Sequence, residues 1–246
     1  MKLITAFNYL YKSFVKNDEY SRFFLAEKIV NKIYPKYKFS EFGRSFLNDS
    51  EFTSYYEKYV GNNVHSFDRK YFLAQLIKLV DHVDGDVAEC GVYEGASSLL
   101  MFERVRNTNK KLHLFDSFEG LSIPNDEDGT YWTKGDLSIP EQVVRGNLPK
   151  SDRILYYKGW IPERFHMVND NKFSFVHLDV DLYQPTYDSL VFFYPRMVLG
   201  GIILCDDYGF DSCPGAKKAI DDFFMDKQEK IINVPTGQAF AVRSSK

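Results

Sequence analysis

The 246-residue sequence has little that would hold it in a membrane or cross-link it outside the cell. No apolar run approaches the ~18 residues of a bilayer-spanning helix. Asn8, Lys12 and Lys16 interrupt the apolar residues after Met1, which is unlike a secretory signal peptide. The chain has three cysteines, an odd number that does not make a disulfide scaffold. We therefore expect a cytoplasmic protein with reduced, buried thiols.

The sequence also lacks a strong excess of either charge. It carries 31 basic and 34 acidic residues, a formal net charge of -3. A basic surface that would bind nucleic acid is not indicated by these numbers. We expect partners that are small molecules or glycans, and neither nucleic acid nor a membrane.

The pattern of apolar residues changes near residue 85. Residues 1–84 are predicted to form a helical, aromatic-rich segment, in which apolar residues recur at three- and four-residue intervals. The stretch 67–83 is its most convincing amphipathic helix. We expect this segment to serve as a lid, as part of an acceptor site, or as the interface of a homodimer or higher homo-oligomer.

Residues 85–246 alternate between short apolar runs and helical patterns. This alternation predicts an α/β domain with a mostly parallel, doubly wound sheet and helices on both faces. The predicted strands are 86–90, 111–115, 153–157, 173–179 and 201–206. The predicted helices are 96–105, 140–147, 162–167, 185–194 and 214–225. A closing antiparallel hairpin is predicted from 230–234 and 239–243. Ligands of such sheets bind beyond the carboxyl ends of the strands.

The first predicted strand runs into a glycine-containing turn, Glu89-Cys90-Gly91-Val92-Tyr93-Glu94-Gly95. The dinucleotide fingerprint G-x-G-x-x-G is absent, and so is the lysine of a phosphate-binding P-loop. Glu89 and Glu94 would repel a pyrophosphate but suit a cationic or hydroxyl-bearing ligand. A tight turn without any ligand is the alternative at this point.

Asp116 ends the second predicted strand, roughly 20–25 residues after the first turn. An acidic residue there commonly accepts hydrogen bonds from ribose hydroxyls. A capped turn is the competing interpretation. Together with the glycine turn, Asp116 favours a nucleoside ligand.

Three further carboxylates follow two other strands of the predicted sheet. Neighbouring strands lie about 4.8 Å apart, so Asp179, Asp206 and Asp207 are expected to come together. Such a group would repel itself unless it were protonated or bound to a cation. Oxygen ligands suit Mg²⁺, and less specifically Mn²⁺ or Ca²⁺. The alternative is that the aspartates cap the next helix or are solvated.

Two other features have a weaker meaning. His177 lies in the middle of a predicted strand and is expected to be a partly buried packing residue rather than a catalytic one. The acidic, glycine-containing segment 125–135 is long enough for a mobile lid and equally fits a surface loop.

Several motifs in one order resemble those of the macrocin O-methyltransferase (TylF/MycF) family across roughly residues 65–242. The blocks that carry the resemblance are Gly85 to Gly95, Phe115-Asp116-Ser117-Phe118-Glu119-Gly120-Leu121, Lys158-Gly159-Trp160-Ile161-Pro162-Glu163, Leu178-Asp179-Val180-Asp181-Leu182-Tyr183, Asp206-Asp207-Tyr208-Gly209 and Cys213-Pro214-Gly215-Ala216.

The resemblance implies a class I methyltransferase (Rossmann-like) fold with a seven-stranded sheet. It also implies an enzyme that uses S-adenosyl-L-methionine and Mg²⁺ to methylate a sugar hydroxyl. The cofactor-binding residues that it implies are Glu89, Gly91, Tyr93, Ser97, Asp116, Ser117 and Asp179. The metal ligands would be Asp179, Asp206 and Asp207. Asp181 matches the proposed general base, with Asp179 beside it as a second catalytic carboxylate.

Three other functions compete with sugar methylation. A metal-dependent methyltransferase could act on a catechol or another phenol, which a metal would chelate in the same way. An NAD-dependent α/β oxidoreductase is disfavoured by the missing third glycine and by the carboxylates. A binding module without catalysis is disfavoured because it has no need to hold three acidic groups together.

Overall fold

A computed structural model describes residues 3–36, 45–59 and 66–244. The chain forms two compact units, Met1–Glu57 and Lys58–Lys246. We predicted a division near residue 85, but the helix at 67–76 belongs to the larger unit. The predicted N-terminal segment includes residues 37–44 and 60–65, which lie outside the described residues. None of the helices in the described part is long and apolar enough to cross a membrane.

The smaller unit is helical. Its helices are α1 (Leu3–Phe14), α2 (Glu19–Ile33) and α3 (Ser50–Tyr56). Asp18 begins α2 and Asp49 begins α3, each accepting a hydrogen bond from a backbone N–H in the first turn of its helix. α1 and α2 pack together, with the rings of Tyr9 and Phe24 stacked 4.3 Å apart.

The larger unit contains a seven-stranded sheet. Its strands are β1 (Asp86–Cys90), β2 (Leu112–Asp116), β3 (Ile154–Lys158), β4 (Phe173–Leu178), β5 (Met197–Cys205), β6 (Ile232–Asn233) and β7 (Ala239–Val242). The spatial order is β3-β2-β1-β4-β5-β7-β6. β1 to β5 are parallel, while β7 is antiparallel to β5 and to β6. The prediction of a mostly parallel sheet closed by an antiparallel hairpin is confirmed.

Five helices of the described residues belong to this unit. They are α4 (Phe67–Leu76), α5 (Ala96–Val105), α6 (Glu141–Asn147), α7 (Tyr183–Phe193) and α8 (Pro214–Phe224). The strand order runs one way from β1 to β3 and the other way from β4 to β5. Because such crossovers are right-handed, α5 and α7 lie on opposite faces of the sheet. All six residues of β4 are buried, as expected for a strand covered on both sides.

Two predicted elements differ in the structure. The helix expected at 162–167 is only a single 3-10 turn, Phe165–Val168. β5 begins at Met197 rather than 201, because the glycines Gly200 and Gly201 are accommodated inside the strand. Neither difference moves the carboxyl ends of the strands, where the order reverses between β1 and β4 and where ligands of this architecture bind.

Candidate active site

A cavity of about 330 Å³ opens at the carboxyl ends of the parallel strands. Its walls come from the loops after β1, β2, β4 and β5, from the first turn of α4, and from the segment between β2 and α6. This volume lies in the range of small-molecule sites. Seven of the residues that we predicted for the site line it: Gly91, Tyr93, Ser97, Asp116, Ser117, Asp179 and Asp207. Asp181 lines it as well.

The turn after β1 approaches the end of β4 closely. Gly91 has φ +82°, and a β-carbon there would lie 1.7 Å from the carbonyl oxygen of Asp179. Only glycine fits such a position without displacing the neighbouring backbone. Tyr93 also has a positive φ, of 46°. The tight turn is therefore fitted against the strand end that carries Asp179.

Asp116 organises the loops on the β1 and β2 side of the cavity. Its carboxylate accepts hydrogen bonds from the backbone N–H groups of Val92 at 2.6 Å, Tyr93 at 3.3 Å and Phe118 at 2.6 Å. Burial raises the pKa of this carboxyl, although these amides favour its ionised form. Asp116 therefore both lines the cavity and fixes two of the loops that shape it.

Glu89 does not line the cavity, although we predicted it beside the cofactor. It is 1% exposed and lies behind the cavity wall. It accepts a hydrogen bond from Ser98 and another from His177 Nδ1 at 3.1 Å. Burial raises the pKa of Glu89. Its position follows from the register, since Glu89 of β1 lies directly beside His177 of β4.

His177 is fully buried, more so than we predicted, and it links two carboxylates. Its Nδ1 faces Glu89 and its Nε2 lies 3.2 Å from Asp206. Burial opposes protonation, but the hydrogen bonds to Asp206 and Glu89 raise the pKa of His177 to about 9. The imidazolium therefore donates from both nitrogens at neutral pH. His177 has no access to the cavity, which agrees with the prediction that it is not catalytic.

Asp206 does not line the cavity, although it and Asp179 offer ligand atoms within 4.8 Å of each other. Its Oδ1 accepts from Gln238 at 2.6 Å and from His177, and its Oδ2 accepts from Arg69 at 2.6 Å. Burial opposes ionisation, yet the charges of Arg69 and Lys70 hold the pKa of Asp206 well below its usual range. Asp206 is thus an ionised carboxylate whose two oxygens are both engaged.

Asp181 and Asp207 form a second acidic group that does face the cavity. The backbone N–H of Asp181, which has φ +59°, donates to Asp207 Oδ2 at 3.1 Å. Burial and the charge of Asp179 raise the pKa of Asp181 to about 7. Burial and the charges of Asp181 and Asp179 raise the pKa of Asp207 well above its usual value. These carboxyls disfavour one another's ionised form, and a nearby cation would favour it.

Two clusters of potential metal ligands occur among the described residues. One comprises His177, Asp179 and Asp206, and the other comprises Asp181, Asp207 and Cys213. Within each cluster the ligand atoms lie within 4.8 Å of one another. His177 is a protonated donor and Cys213 is a thiol with a raised pKa, chiefly because of burial. The oxygen donors that face the cavity are Asp179, Asp181 and Asp207.

The sequence analysis missed two cations that lie among these carboxylates. Arg69 Nη1 is 2.6 Å from Asp206, and Lys70 Nζ is 3.7 Å from Asp179. Lys70 is 3% exposed and donates to Ser97 Oγ at 2.6 Å. Both cations begin α4, which we had assigned to the N-terminal segment. The sequence did contain a signal for these cations, namely the excess of negative charge at the predicted strand ends. Several buried carboxylates require positive charge from elsewhere in the chain.

The segment 125–135 is anchored at two points, although the sequence is compatible with a mobile lid or a surface loop. The buried carboxylate of Asp128 accepts from the backbone N–H of Tyr183 at 2.6 Å, at the start of α7. Trp132 Nε1 donates to Cys213 Sγ at 3.4 Å. The segment therefore forms a wall of the cavity, to which Tyr131 and Trp132 contribute aromatic rings.

Comparison with known proteins gives relatives of one kind. The chain is 30% identical over 159 residues to the 8-demethyl-8-(2,3-dimethoxy-alpha-L-rhamnosyl)-tetracenomycin-C 4'-O-methyltransferase of Streptomyces olivaceus, covering 59% of this chain and 60% of that protein. It is 29% identical over 158 residues to the demethyldecarbamoylnovobiocin O-methyltransferase of Streptomyces niveus, covering 58% and 59%. The matches thus span about 60% of the length of these curated relatives.

Solved structures share the fold. The O-methyltransferase NovP superposes with a TM-score of 0.62 at 24% identity, covering 73% of this chain and 81% of NovP. The calicheamicin methyltransferase CalS11 superposes with a TM-score of 0.64 at 18% identity, covering 80% and 93%. The fold is therefore that of class I O-methyltransferases.

The family described as macrocin-O-methyltransferase (TylF) matches residues 69–238, which include β1 to β5 and all the residues discussed above at the cavity. The match begins at Arg69, the first cation of the site, and ends at Gln238, which donates to Asp206. By this match over more than half of its length, the chain belongs to the macrocin O-methyltransferase (TylF) family.

Proposed function

We propose that this protein is an S-adenosyl-L-methionine- and Mg²⁺-dependent O-methyltransferase that methylates a hydroxyl group of a sugar. Family membership supports the reaction class. The observation that carries the proposal is that the glycine turn after β1, Asp116, and the carboxylates Asp179, Asp181 and Asp207 all face one cavity.

The cofactor would bind along the β1 and β2 side of this cavity. Gly91, Tyr93 and Ser97 would contact its methionine part, with Asp116 and Ser117 towards the ribose and adenine. Asp179 lies between the two sides, and its negative charge suits the sulfonium. The cofactor supplies an electrophilic methyl group when bound. Glu89 would act only from behind the wall, through Ser98 and His177.

The residues present fit a divalent cation. Asp179, Asp181 and Asp207 offer oxygen donors at the cavity, and burial together with the charges of neighbouring carboxylates raises the pKa values of Asp181 and Asp207. A cation at these oxygens would offset that mutual repulsion. Mg²⁺ is commonly bound by one or two carboxylates together with substrate and water. We propose Asp179 and Asp207 as its ligands, with Asp206 available only if Arg69 releases it. A bound divalent cation would stabilise the negative charge that develops on the acceptor oxygen.

Asp181 is the proposed general base. An alcohol is a poor nucleophile at neutral pH until its proton leaves. Asp181 lines the same cavity, and its carboxylate can accept that proton; general-base catalysis of this kind contributes typically about 10²–10⁴-fold. The left-handed backbone at Asp181 and its hydrogen bond to Asp207 hold the carboxylate in place. The remaining contribution is orientation of the hydroxyl towards the methyl group.

The acceptor would lie against the aromatic wall of the cavity. Tyr131, Trp132 and Phe210 line it, and aromatic faces suit the apolar faces of sugar rings. One relative acts on a rhamnosyl tetracenomycin, and another acts on demethyldecarbamoylnovobiocin. By analogy we propose a glycosylated compound or a nucleotide sugar as the acceptor class. Cytoplasmic location, a homo-oligomeric assembly and a role for the N-terminal unit stay predictions from the sequence.

The test is methyl transfer from S-adenosyl-L-methionine to a panel of acceptors, detected as the mass gain of one methyl group. The panel contains nucleotide-linked and aryl-linked deoxysugars, and a catechol as the alternative acceptor. Wild type is compared with Asp181→Asn and, as a surface control, with Asp221→Asn. Transfer to a sugar by wild type and the control alone supports the proposal. Transfer only to the catechol would replace the acceptor class, and no transfer to any compound would contradict the proposal.

A further inference from the structure

Several contacts hold the side chain of Arg69 beside the carboxylates of Asp206 and Asp207. Its Nη1 lies 2.6 Å from Asp206 Oδ2 and 3.9 Å from Asp207 Oδ1. Its Nε donates to Ser66 Oγ at 2.7 Å, and its guanidinium lies 4.9 Å from the ring centroid of Phe210. The side chain is 15% exposed and lines the cavity. The guanidinium is thus held on several sides and is directed at the carboxylates.

The charges around Arg69 show what it does in the absence of another cation. Burial opposes its ionisation, but Asp206, Asp179, Asp207 and Asp181 together raise the pKa of Arg69 above its ordinary value. Two unit charges about 4 Å apart near a protein surface interact strongly enough to shift an equilibrium many-fold. Without this guanidinium, Asp206 would be a buried carboxylate that keeps the hydrogen bonds from His177 and Gln238 and the more distant charge of Lys70. Arg69 therefore permits the carboxylates to assemble before any metal arrives.

A divalent cation at the same carboxylates would meet the positive charge of Arg69. It would also find Asp206 Oδ2 already engaged. We propose that Arg69 is a resident counter-ion that competes with the divalent cation for this carboxylate group and withholds Asp206 from it. The proposal rests on the metal site of the proposed function. It assigns Arg69 as the residue that sets the affinity of that site.

The first arm of the test is a calorimetric titration of Mg²⁺ into protein saturated with S-adenosylhomocysteine. Arg69→Gln removes the charge, and we expect it to bind Mg²⁺ at least about tenfold more tightly than wild type does. Arg69→Lys keeps a cation and should stay within about threefold of wild type. Arg104→Gln is the matched control, because Arg104 pairs with Asp81 outside the cavity and its loss should leave the affinity unchanged.

The second arm keeps the test decisive if Arg69→Gln folds poorly. Ser66→Ala removes the hydrogen bond to Arg69 Nε and leaves every carboxylate intact. It should tighten Mg²⁺ binding by about two- to threefold, in the same direction as Arg69→Gln. Chelator-treated Arg69→Gln should also melt at a lower temperature than wild type, and Mg²⁺ should raise its melting temperature by more than it raises that of wild type.

Equal or weaker Mg²⁺ binding by both Arg69→Gln and Ser66→Ala would overturn the competition. Absence of Mg²⁺ binding in wild type and in all variants would overturn it as well, together with the proposed metal site. Failure of the methyltransferase proposal is a separate result, since it would be seen as absence of S-adenosylhomocysteine binding in the same samples.

Discussion

Asp116 and Asp206 both end strands of the parallel sheet and are both largely enclosed, but the chain holds them in different ways. Asp116 accepts from three backbone N–H groups, and burial raises its pKa. Asp206 is bound by Arg69, His177 and Gln238, and its pKa is held low despite burial. Neutral amides are enough for one isolated carboxylate at the β2 end. The several carboxylates at the β4 and β5 ends need side-chain cations as well.

This contrast separates two tasks within one cavity. On the β1 and β2 side, Asp116 fixes loops around the proposed cofactor. On the β4 and β5 side, aspartates serve as the proposed metal ligands and as the proposed general base. Substitutions on the β1 and β2 side should therefore weaken cofactor binding, whereas those on the β4 and β5 side should change stability, activity or Mg²⁺ binding.

The substitution Asp206→Ala should destabilise the fold most. It leaves the charges of Arg69 and His177 without their shared partner, and breaking a buried ion pair in this way costs about 3–5 kcal/mol. Urea unfolding in chelator measures the loss. Asp221→Ala is the matched control, because Asp221 pairs with Lys217 at the surface and should matter by less than about 1 kcal/mol. Equal stabilities of the two variants would contradict the account of Asp206.

Asp181→Asn should remove activity without this loss of stability. The amide is similar in shape but cannot take a proton, so we expect kcat to fall about 10²–10⁴-fold. The fold should be at least as stable as wild type at neutral pH, because the repulsion among Asp181, Asp207 and Asp179 is reduced. Single-turnover methyl transfer and urea unfolding on the same preparation test both parts. A stable variant with unchanged kcat would remove Asp181 as the base.

Asp181 and Asp206 should also differ in how they make the free energy of unfolding depend on pH. The pKa of Asp181 is raised from 3.8 to about 7, so the native state holds a proton that the unfolded chain has lost between these values. The free energy of unfolding therefore falls as the pH rises from about 4 to 7. Asp206, whose pKa is lowered, has the opposite sign and loses its contribution only below about pH 4.

Unfolding of wild type and Asp181→Asn at pH 4.5 and 7.5, in chelator, measures this difference. We expect the variant to gain about 3 kcal/mol relative to wild type over this interval. A parallel pH dependence of the two proteins would mean that Asp181 titrates normally.

Asp116→Ala should reduce stability less than Asp206→Ala does. It leaves the N–H groups of Val92 and Phe118 without their acceptor, which costs about 1–2 kcal/mol because water can reach the loop. The affinity for S-adenosylhomocysteine should fall about tenfold, while Mg²⁺ binding stays unchanged. If Asp116→Ala lost Mg²⁺ affinity but kept its affinity for S-adenosylhomocysteine, the assignment of Asp116 to the cofactor side of the cavity would be contradicted.

Much of the fold follows from local sequence patterns. The five parallel strands lie within a few residues of their predicted positions, because each contains a short apolar run. The hairpin and the turn at Gly91 follow from glycine and turn residues. The helix 162–167 was wrong because Pro162 and the short run leave only one 3-10 turn.

The site could be predicted only in part, for a geometric reason. Asp206 and Asp207 lie in the turn directly after β5, and of the two only Asp207 lines the cavity. The geometry of a turn is not given by the period of the strand before it. Glu89 and His177 pair across β1 and β4, a contact that requires the strand order. Arg69 and Lys70 lie in the first turns of α4, which precedes the sheet in the chain. Local sequence patterns therefore do not predict which strand ends these two side chains contact.

The central claim is that this cavity binds the methyl donor independently of the metal. The most direct measurement is calorimetric titration of S-adenosylhomocysteine into wild type, once in chelator and once in Mg²⁺. We predict micromolar binding in both conditions, since the residues proposed for the cofactor and those proposed for the metal share only Asp179. No binding in either condition would contradict the proposed methyltransferase function, whatever the family of the chain.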